Sequence, residues 1–185
     1  MKRAVLSAVA GLASLFLTAT AQAKIPGITP TTIRDCILAA AKVYREPPAV
    51  LLILLNVEGG TLGAVSENSN ATVDIGPMQV NQIWIPAVAA HWHASRQATF
   101  LALRDNFCAN VEAGAWILRQ GLDEANGDLW GGVAFYHSHT PEYQRRYLLA
   151  VLKQALRLEQ SARQPAAGAR ESSITADTTS NGSGG

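Results

Sequence analysis

A single carboxylic acid stands at the end of an otherwise uncharged segment. Glu58 follows residues 49–57, which contain no charged side chain. At helical spacing, Glu58 lies beside Leu51, Leu54 and Leu55. The apolar neighbours and the negative end of the helix dipole both disfavour a carboxylate there, so we expect a raised pKa. An acid that stays protonated near neutral pH can act as a general acid. The alternative is a Glu that turns to solvent at a helix end.

A second segment, residues 74–81, has the sequence Asp-Ile-Gly-Pro-Met-Gln-Val-Asn and combines a tight turn with two amides. The amides of Gln79 and Asn81 can hydrogen-bond sugar hydroxyl and acetamido groups without adding charge. Met78 would form an apolar wall beside them. The alternative is an ordinary loop that enters a helix, with Asp74 or Gly76 making the turn.

A third segment, residues 135–141, gathers an aromatic side chain, hydroxyls and imidazoles just before a proline. Tyr136 could hydrogen-bond a substrate or Glu58, and Ser138 lies two residues further on. An aromatic residue in this position is also typical of a hydrophobic core, with Thr140 as a helix cap. Taken alone, this segment indicates no particular activity.

The order and spacing of these segments resemble the lytic transglycosylases of the goose-type lysozyme superfamily. The likeness is strongest to the small secreted members encoded with conjugation, pilus and protein-secretion machines. It rests on Glu58-Gly59-Gly60, on the Gly-x-Met-Gln turn at residues 76–79, and on Tyr136-His137-Ser138, where larger members have Tyr-Asn-x-Gly. Residues 105–111 and 114–118 also fit the subgroup's pattern.

The resemblance implies a peptidoglycan-cleaving enzyme that needs no cofactor and no metal. Glu58 would protonate the β-1,4 glycosidic oxygen between N-acetylmuramic acid and N-acetylglucosamine. It would then take a proton from the muramoyl 6-hydroxyl, and a 1,6-anhydro ring would close. The implied partners are peptidoglycan strands and an envelope-spanning conjugation or secretion apparatus. The resemblance also implies a substrate-binding set, which comprises Met78, Gln79, Asn81, Tyr136 and Ser138.

Three other functions remain open from the sequence. A hydrolytic muramidase would use Asp74 or Glu67 as a second carboxylate. The distance between the two carboxyl groups, which decides this reaction, cannot be read from the sequence. A metallohydrolase would use His91 and His93 or His137 and His139 as zinc ligands, although residues two apart diverge on a helix. The third is a non-catalytic module that binds glycan or docks onto a secretion apparatus.

The elements that must position these side chains are mainly helices. Proline at the first helical position follows a Thr cap at Thr29-Pro30 and again at Thr140-Pro141. Apolar patterns predict helices from Pro30 to Tyr44, 49–58, 96–104, 107–121 and 141–158, and residues 129–136 form a further short apolar segment. The residues predicted to face inward are Phe107, Val111, Ala115 and Leu118 in the helix over 107–121, and Tyr143, Tyr147, Val151, Ala155 and Leu158 in the last helix. Residues 78–84 are also predicted to be helical, and 61–77 a loop, in which 71–75 could pair as a short strand. The predicted fold class is therefore mainly α, a lysozyme-like helical domain with a short β element after the catalytic helix.

Both ends of the chain are expected to lie outside this domain. Lys2 and Arg3 precede an apolar run of 16 residues and an Ala-Gln-Ala motif, which predicts a signal peptide over residues 1–23. A membrane anchor is the alternative, but a spanning helix needs about 20 residues. The domain is assigned to residues 24–160, and 161–185, which lack aromatic residues, to a flexible tail. The expected location is periplasmic or secreted, without stable membrane insertion.

The charge and the cysteine content of the chain disfavour further classes of protein. A net charge of +1, with 16% charged residues, disfavours nucleic-acid binding. Two cysteines are too few for a disulfide-rich scaffold or a four-thiolate zinc site. Cys36 and Cys108 would be either buried free thiols or, in an oxidising compartment, joined to each other, and we expect the disulfide.

Overall fold

The computed structural model describes residues 27–163 and confirms the mainly α fold class. Within that range, seven α-helices surround one small antiparallel sheet and one 3-10 helix. The elements are α1 (Pro30–Tyr44), α2 (Pro48–Glu58), β1 (Val65–Glu67), β2 (Val73–Ile75), β3 (Val80–Asn81), the 3-10 helix (Gln82–Trp84), α3 (Ile85–His91), α4 (Arg96–Asp105), α5 (Phe107–Glu124), α6 (Leu129–His137) and α7 (Pro141–Arg163). The predicted signal peptide lies outside the described residues, as does the predicted tail beyond residue 163.

Local capping explains most of the helix boundaries. The side chain of Thr29 accepts a hydrogen bond from the backbone N–H of Thr32 at the start of α1, and Pro30 occupies the first helical position. Ser95, Asn106 and Asp128 cap α4, α5 and α6 in the same way. Helix α7 extends to Arg163, three residues beyond the predicted end of the domain at residue 160.

The prediction of a helix over residues 78–84 is wrong. Residues 80 and 81 form β3, which pairs with β2 through Ile75 opposite Val80 and Asp74 opposite Asn81, and a single 3-10 turn follows. The backbone before β3 turns at Gly76 and Gln79, which both have positive φ angles of 65° and 47°. Because two left-handed residues flank Pro77, no α-helix can pass through this segment.

Helix α5 forms the centre of the core. Its predicted buried stripe, which comprises Phe107, Val111, Ala115 and Leu118, is buried. The helix packs against α1 on one side and α6 on another. On α7, Tyr147 and Val151 face this core as predicted, whereas Tyr143 is 52% exposed and does not.

The predicted disulfide joins α1 to the first turn of α5. Cys36 and Cys108 are bonded, with their Cα atoms 5.0 Å apart and 72 positions apart in sequence. Closing a loop of this length stabilises a fold by about 4 kcal/mol on a chain-entropy estimate. No helix within residues 27–163 has the length and apolar character required to cross a bilayer.

Candidate active site

Glu58 is the last residue of α2 and lies in the wall of a groove. Helix α2 ends because Gly59 adopts a left-handed conformation and donates its N–H to the carbonyl of Leu55. The groove has a volume of about 570 Å³. Its walls come from α2, the sheet and the ends of α6 and α7, and its lining residues are Glu58, Asn68, Ser69, Asn70, Thr72, Asp74, Gln79, Val80, Asn81, Ile83, Trp84, Ile117, Tyr136, His137, Ser138 and Tyr143.

The glycine after the Gly59 cap allows the Gly-x-Met-Gln turn to approach Glu58 closely. The N–H of Gly60 donates to the carbonyl of Pro77 (3.2 Å). A Cβ atom at Gly60 would lie 2.1 Å from the carbonyl oxygen of Gly76 and 2.5 Å from Nε2 of Gln79. Only glycine fits between α2 and this turn, so Gly59 ends the helix and Gly60 allows the turn to pack against it.

The buried side-chain amide of Asn110 holds the Gly-x-Met-Gln turn by hydrogen bonds. Asn110 on α5 is fully buried, and its Oδ1 accepts the backbone N–H of Met78 (2.7 Å). Its Nδ2 donates to the carbonyls of Ile75 and Leu103, both at 2.9 Å. No role for Asn110 was predicted from the sequence. Its position beside the apolar stripe of α5 could have indicated one, because a buried amide without hydrogen-bond partners is costly.

Met78 does not line the groove, which corrects its assignment as a substrate-binding residue. Its side chain is fully buried and packs on Gly114, where an added Cβ would lie 2.8 Å from Cε of Met78. The carbonyl of Met78 accepts a hydrogen bond from the hydroxyl of Tyr136 (2.9 Å). The Gly-Pro-Met-Gln turn points this side chain inward, so Met78 anchors the turn in the core.

The other predicted site residues all lie in the groove with Glu58. The Nε2 atom of Gln79 donates to the carbonyl of Gly76 (2.9 Å), which fixes the amide beside the acid. The Nδ2 atom of Asn81 donates to Oδ1 of Asp74 (2.7 Å) and to Oγ1 of Thr72 (2.9 Å). The hydroxyl of Ser138 accepts the N–H of Thr140 (3.0 Å) at the entrance to α7.

Glu58 itself receives one strong hydrogen bond. The hydroxyl of Tyr147 on α7 donates to its Oε1 (2.5 Å). Burial raises the pKa of Glu58 to about 7; the Tyr147 bond opposes this rise and the negative charge of Asp74 adds to it. Glu58 is therefore poised to give and take a proton near neutral pH.

Tyr147 is the site residue that the sequence analysis missed. It was predicted only as an inward-facing residue of the last helix, and it is 6% exposed. Burial raises its pKa, and the charge of Glu58 raises it further, so the phenol stays protonated and donates. The ring of His137 lies parallel to that of Tyr147, with centroids 4.3 Å apart and an interplanar angle of 1°.

The four histidines contact different parts of the fold. His91 stacks on Trp116 (4.9 Å), and His139 stacks on Phe135 (4.8 Å) and contacts the carboxylate of Glu124. His93 follows α3 with a positive φ of 52°. Within residues 27–163, no group of three or more His, Cys, Asp or Glu side chains is arranged to hold a metal ion.

A comparison with known protein families supplies the deciding observation, because residues 35–147 match the model of the transglycosylase SLT domain. The chain belongs to this family. The matched range begins on α1 and ends at Tyr147, so it includes Glu58 and most of the groove. A search of curated proteins finds no match to the chain.

The SLT assignment establishes the class of enzyme. SLT domains are lytic transglycosylases, which cleave glycosidic bonds of peptidoglycan without net hydrolysis. They belong to the lysozyme-like superfamily, in agreement with the helical fold and its small sheet. Their substrate lies outside the cytoplasm.

Proposed function

We propose that Glu58 alone performs the acid and base steps of this transglycosylase. The observation that carries the proposal is the position of Glu58: a carboxyl group with a pKa near 7, at the wall of a groove large enough for glycan, bound by a tyrosine hydroxyl. The hydroxyl of Tyr147 occupies Oε1, which leaves Oε2 as the oxygen that carries the reacting proton.

The reaction proceeds in two proton transfers. Glu58 gives its proton to the glycosidic oxygen as the bond from that oxygen to C1 of the muramoyl residue breaks. The acetamido oxygen of the substrate stabilises the positive charge at C1, as in other substrate-assisted glycosidases. The carboxylate of Glu58 then removes the proton of the 6-hydroxyl while O6 bonds to C1. The acid is regenerated, no water is consumed, and the product ends in a 1,6-anhydro ring.

The remaining groove residues bind the glycan in this proposal. Gln79, Asn81, Tyr136 and Ser138 lie in the groove and offer neutral amide and hydroxyl groups. The internal hydrogen bonds of Asn81 hold Asp74 in place, so part of its contribution is indirect. Burial raises the pKa of Tyr136, so its hydroxyl stays neutral; its O–H donates to the carbonyl of Met78, which leaves its oxygen as an acceptor for the glycan.

Hydrolysis by a carboxylate pair is the second candidate. Asp74 lies in the same groove as Glu58, and its charge contributes to the raised pKa of Glu58. Glu67, the other carboxylate considered, is exposed on β1 and is not a lining residue of the groove. The two reactions leave different ends, because hydrolysis gives a reducing muramic acid and transglycosylation an anhydro ring.

We further propose that the enzyme is secreted to the periplasm and opens the wall locally for a conjugation, pilus or secretion apparatus. Residues 1–23 would be the signal peptide, 24–160 the enzyme domain and 161–185 a tail. The support is the likeness of the three sequence segments to small secreted members of the superfamily. In the non-catalytic alternative, the protein would only dock onto such an apparatus, and loss of Glu58 would leave its function intact.

The decisive experiment compares Glu58→Gln with Glu67→Gln in the mature protein. Both changes replace a carboxylate by its isosteric amide, but only Glu58 lies in the groove. We expect Glu58→Gln to abolish release of 1,6-anhydro muropeptides from purified peptidoglycan, measured by mass spectrometry, and Glu67→Gln to retain it. Wild-type products with reducing ends would favour the hydrolase, and an active Glu58→Gln protein would refute the mechanism.

A further inference from the structure

His137 stands where Tyr-Asn-x-Gly has Asn, one of the two positions at which this chain departs from that pattern; the other is His139 in place of Gly. It is the last residue of α6, and the chain enters α7 four residues later. This short connection brings its imidazole face to face with the ring of Tyr147, 4.3 Å between centroids. His137 is a lining residue of the groove, whereas Tyr147 is not.

The Tyr147 ring is thus constrained by its neighbours as well as by its own hydrogen bond. Tyr136 lies 6.5 Å from it at an interplanar angle of 27°, a looser contact than that of His137. The hydroxyl at the far end of the ring reaches Oε1 of Glu58. Because a phenol ring has only two side-chain torsions, a contact across its face restricts where its hydroxyl can lie.

We infer that His137 is a positioning residue for catalysis, which holds the Tyr147 ring by stacking so that its hydroxyl stays on Glu58. The inference rests on the proposed role of Glu58 and adds to it the reason for the Tyr-His-Ser variant. His137 itself donates no proton in the reaction.

The charge of His137 is compatible with this role. Burial lowers the pKa of the imidazole, against the opposing effect of Asp74, so the ring stacks in its neutral form at neutral pH. Of the ionisable groups near it, Asp74 on β2 acts on its charge and Tyr147 on α7 stacks on its ring, while Glu58 on α2 and Tyr136 on α6 line the same groove. A neutral ring leaves the proton of Glu58 undisturbed, whereas a cation would favour the carboxylate.

The test compares four variants by kcat, KM and the pH profile of kcat on soluble glycan strands. His137→Ala removes the stacking, and His137→Leu removes it while keeping bulk. His137→Phe keeps a ring but cannot ionise. His139→Ala is the matched control, because His139 stacks on Phe135 at 4.8 Å but does not line the groove.

We expect His137→Ala and His137→Leu to lower kcat roughly 2- to 10-fold, the range of an aromatic pair, with KM little changed. Both should move the alkaline limb of the profile to higher pH, the same direction that we expect for Tyr147→Phe, because the hydrogen bond that favours the carboxylate of Glu58 is weakened. His137→Phe and His139→Ala should behave like the wild type. In the double variant His137→Ala/Tyr147→Phe, kcat and the position of the alkaline limb should be almost the same as in Tyr147→Phe alone.

Three outcomes would overturn the inference while leaving the role of Glu58 intact. These are wild-type kcat and pH profile in His137→Ala, additive effects in the double variant, or a change in KM alone, which would indicate direct substrate contact. If Glu58→Gln remains active, the proposed function fails first, and the inference fails with it.

Discussion

The hydroxyl of Tyr147 lies 2.5 Å from Oε1 of Glu58, although the two residues are 89 positions apart in the sequence. Tyr147 lies in the second turn of α7, and Glu58 is the last residue of the apolar helix α2. Their contact joins α7 to α2 across the groove wall and sets the protonation of the candidate catalytic acid. Because the hydrogen bond and the burial of Glu58 act in opposite directions, the pKa near 7 is a balance between them.

Tyr147→Phe should raise the pKa of Glu58. The lost hydrogen bond favours the carboxylate, so its removal leaves burial less opposed. Activity requires protonated Glu58, and the alkaline limb of kcat, expected near pH 7 in the wild type, should therefore move to higher pH. At neutral pH, we expect kcat to fall about 10-fold because the acid is no longer oriented. Tyr143→Phe, at the exposed rim of the groove, is the control and should leave the limb in place.

Asp74→Asn should move the same limb in the opposite direction. The negative charge of Asp74 raises the pKa of Glu58, so the neutral amide should lower it, and activity should be lost at a lower pH. An Oδ1 atom remains to accept the bond from Asn81. Asp35→Asn, on the exposed surface of α1, is the control. If Asp74→Asn loses all activity at every pH and the wild type gives reducing ends, Asp74 acts chemically and the single-acid mechanism is wrong.

Asn110→Ala should destabilise the fold strongly. It removes three hydrogen bonds and leaves the N–H of Met78 and the carbonyls of Ile75 and Leu103 buried without that partner. We expect a loss of about 3 kcal/mol or more in the free energy of unfolding, measured with urea. Asn106→Ala, which removes only the cap of α5, should cost about 1 kcal/mol. Equal losses in the two variants would show that Asn110 does not hold the turn as described.

Glu46→Gln should weaken the dependence of stability on pH, leaving the part that comes from the raised pKa of Glu58. Glu46 is 5% exposed, and neither carboxylate oxygen has a hydrogen-bond partner among the described residues. Burial raises its pKa from 4.5 to about 8, with Arg119 opposing the rise. The folded state therefore keeps a proton that the unfolded state releases, and stability should fall as pH rises from about 4.5 to about 8.

In the wild type, this contribution should approach 1.4 kcal/mol per pH unit within that window. Thermal unfolding at pH 5 and pH 8 measures it, with exposed Glu67→Gln as the control. A Glu46→Gln protein that loses as much stability as the wild type between these two pH values would rule out Glu46 as the cause.

Much of the fold could be predicted because its signals are local. Thr29 and Pro30 define the start of α1 within three residues, and Gly59 ends α2 at Glu58. The uncharged surroundings of Glu58 were visible in its own helix, and they predicted the raised pKa. The helix predicted over residues 78–84 was wrong because the positive φ angles of Gly76 and Gln79 are supported by contacts from elsewhere in the chain.

The sequence by itself determined the catalytic candidate, the longer helices and the pair of cysteines available for a disulfide, since each depends on neighbouring residues or on simple counting. The tertiary structure alone decided that Tyr147 reaches Glu58, that Asn110 holds the turn and that Met78 is buried. The contact of Tyr147 with Glu58 joins residues 89 positions apart, and that of Asn110 with Met78 joins residues 32 positions apart. The Met78 side chain is buried against Gly114 of α5. A buried stripe on a helix shows which side chains point inward, but only packing determines which of them meets the acid.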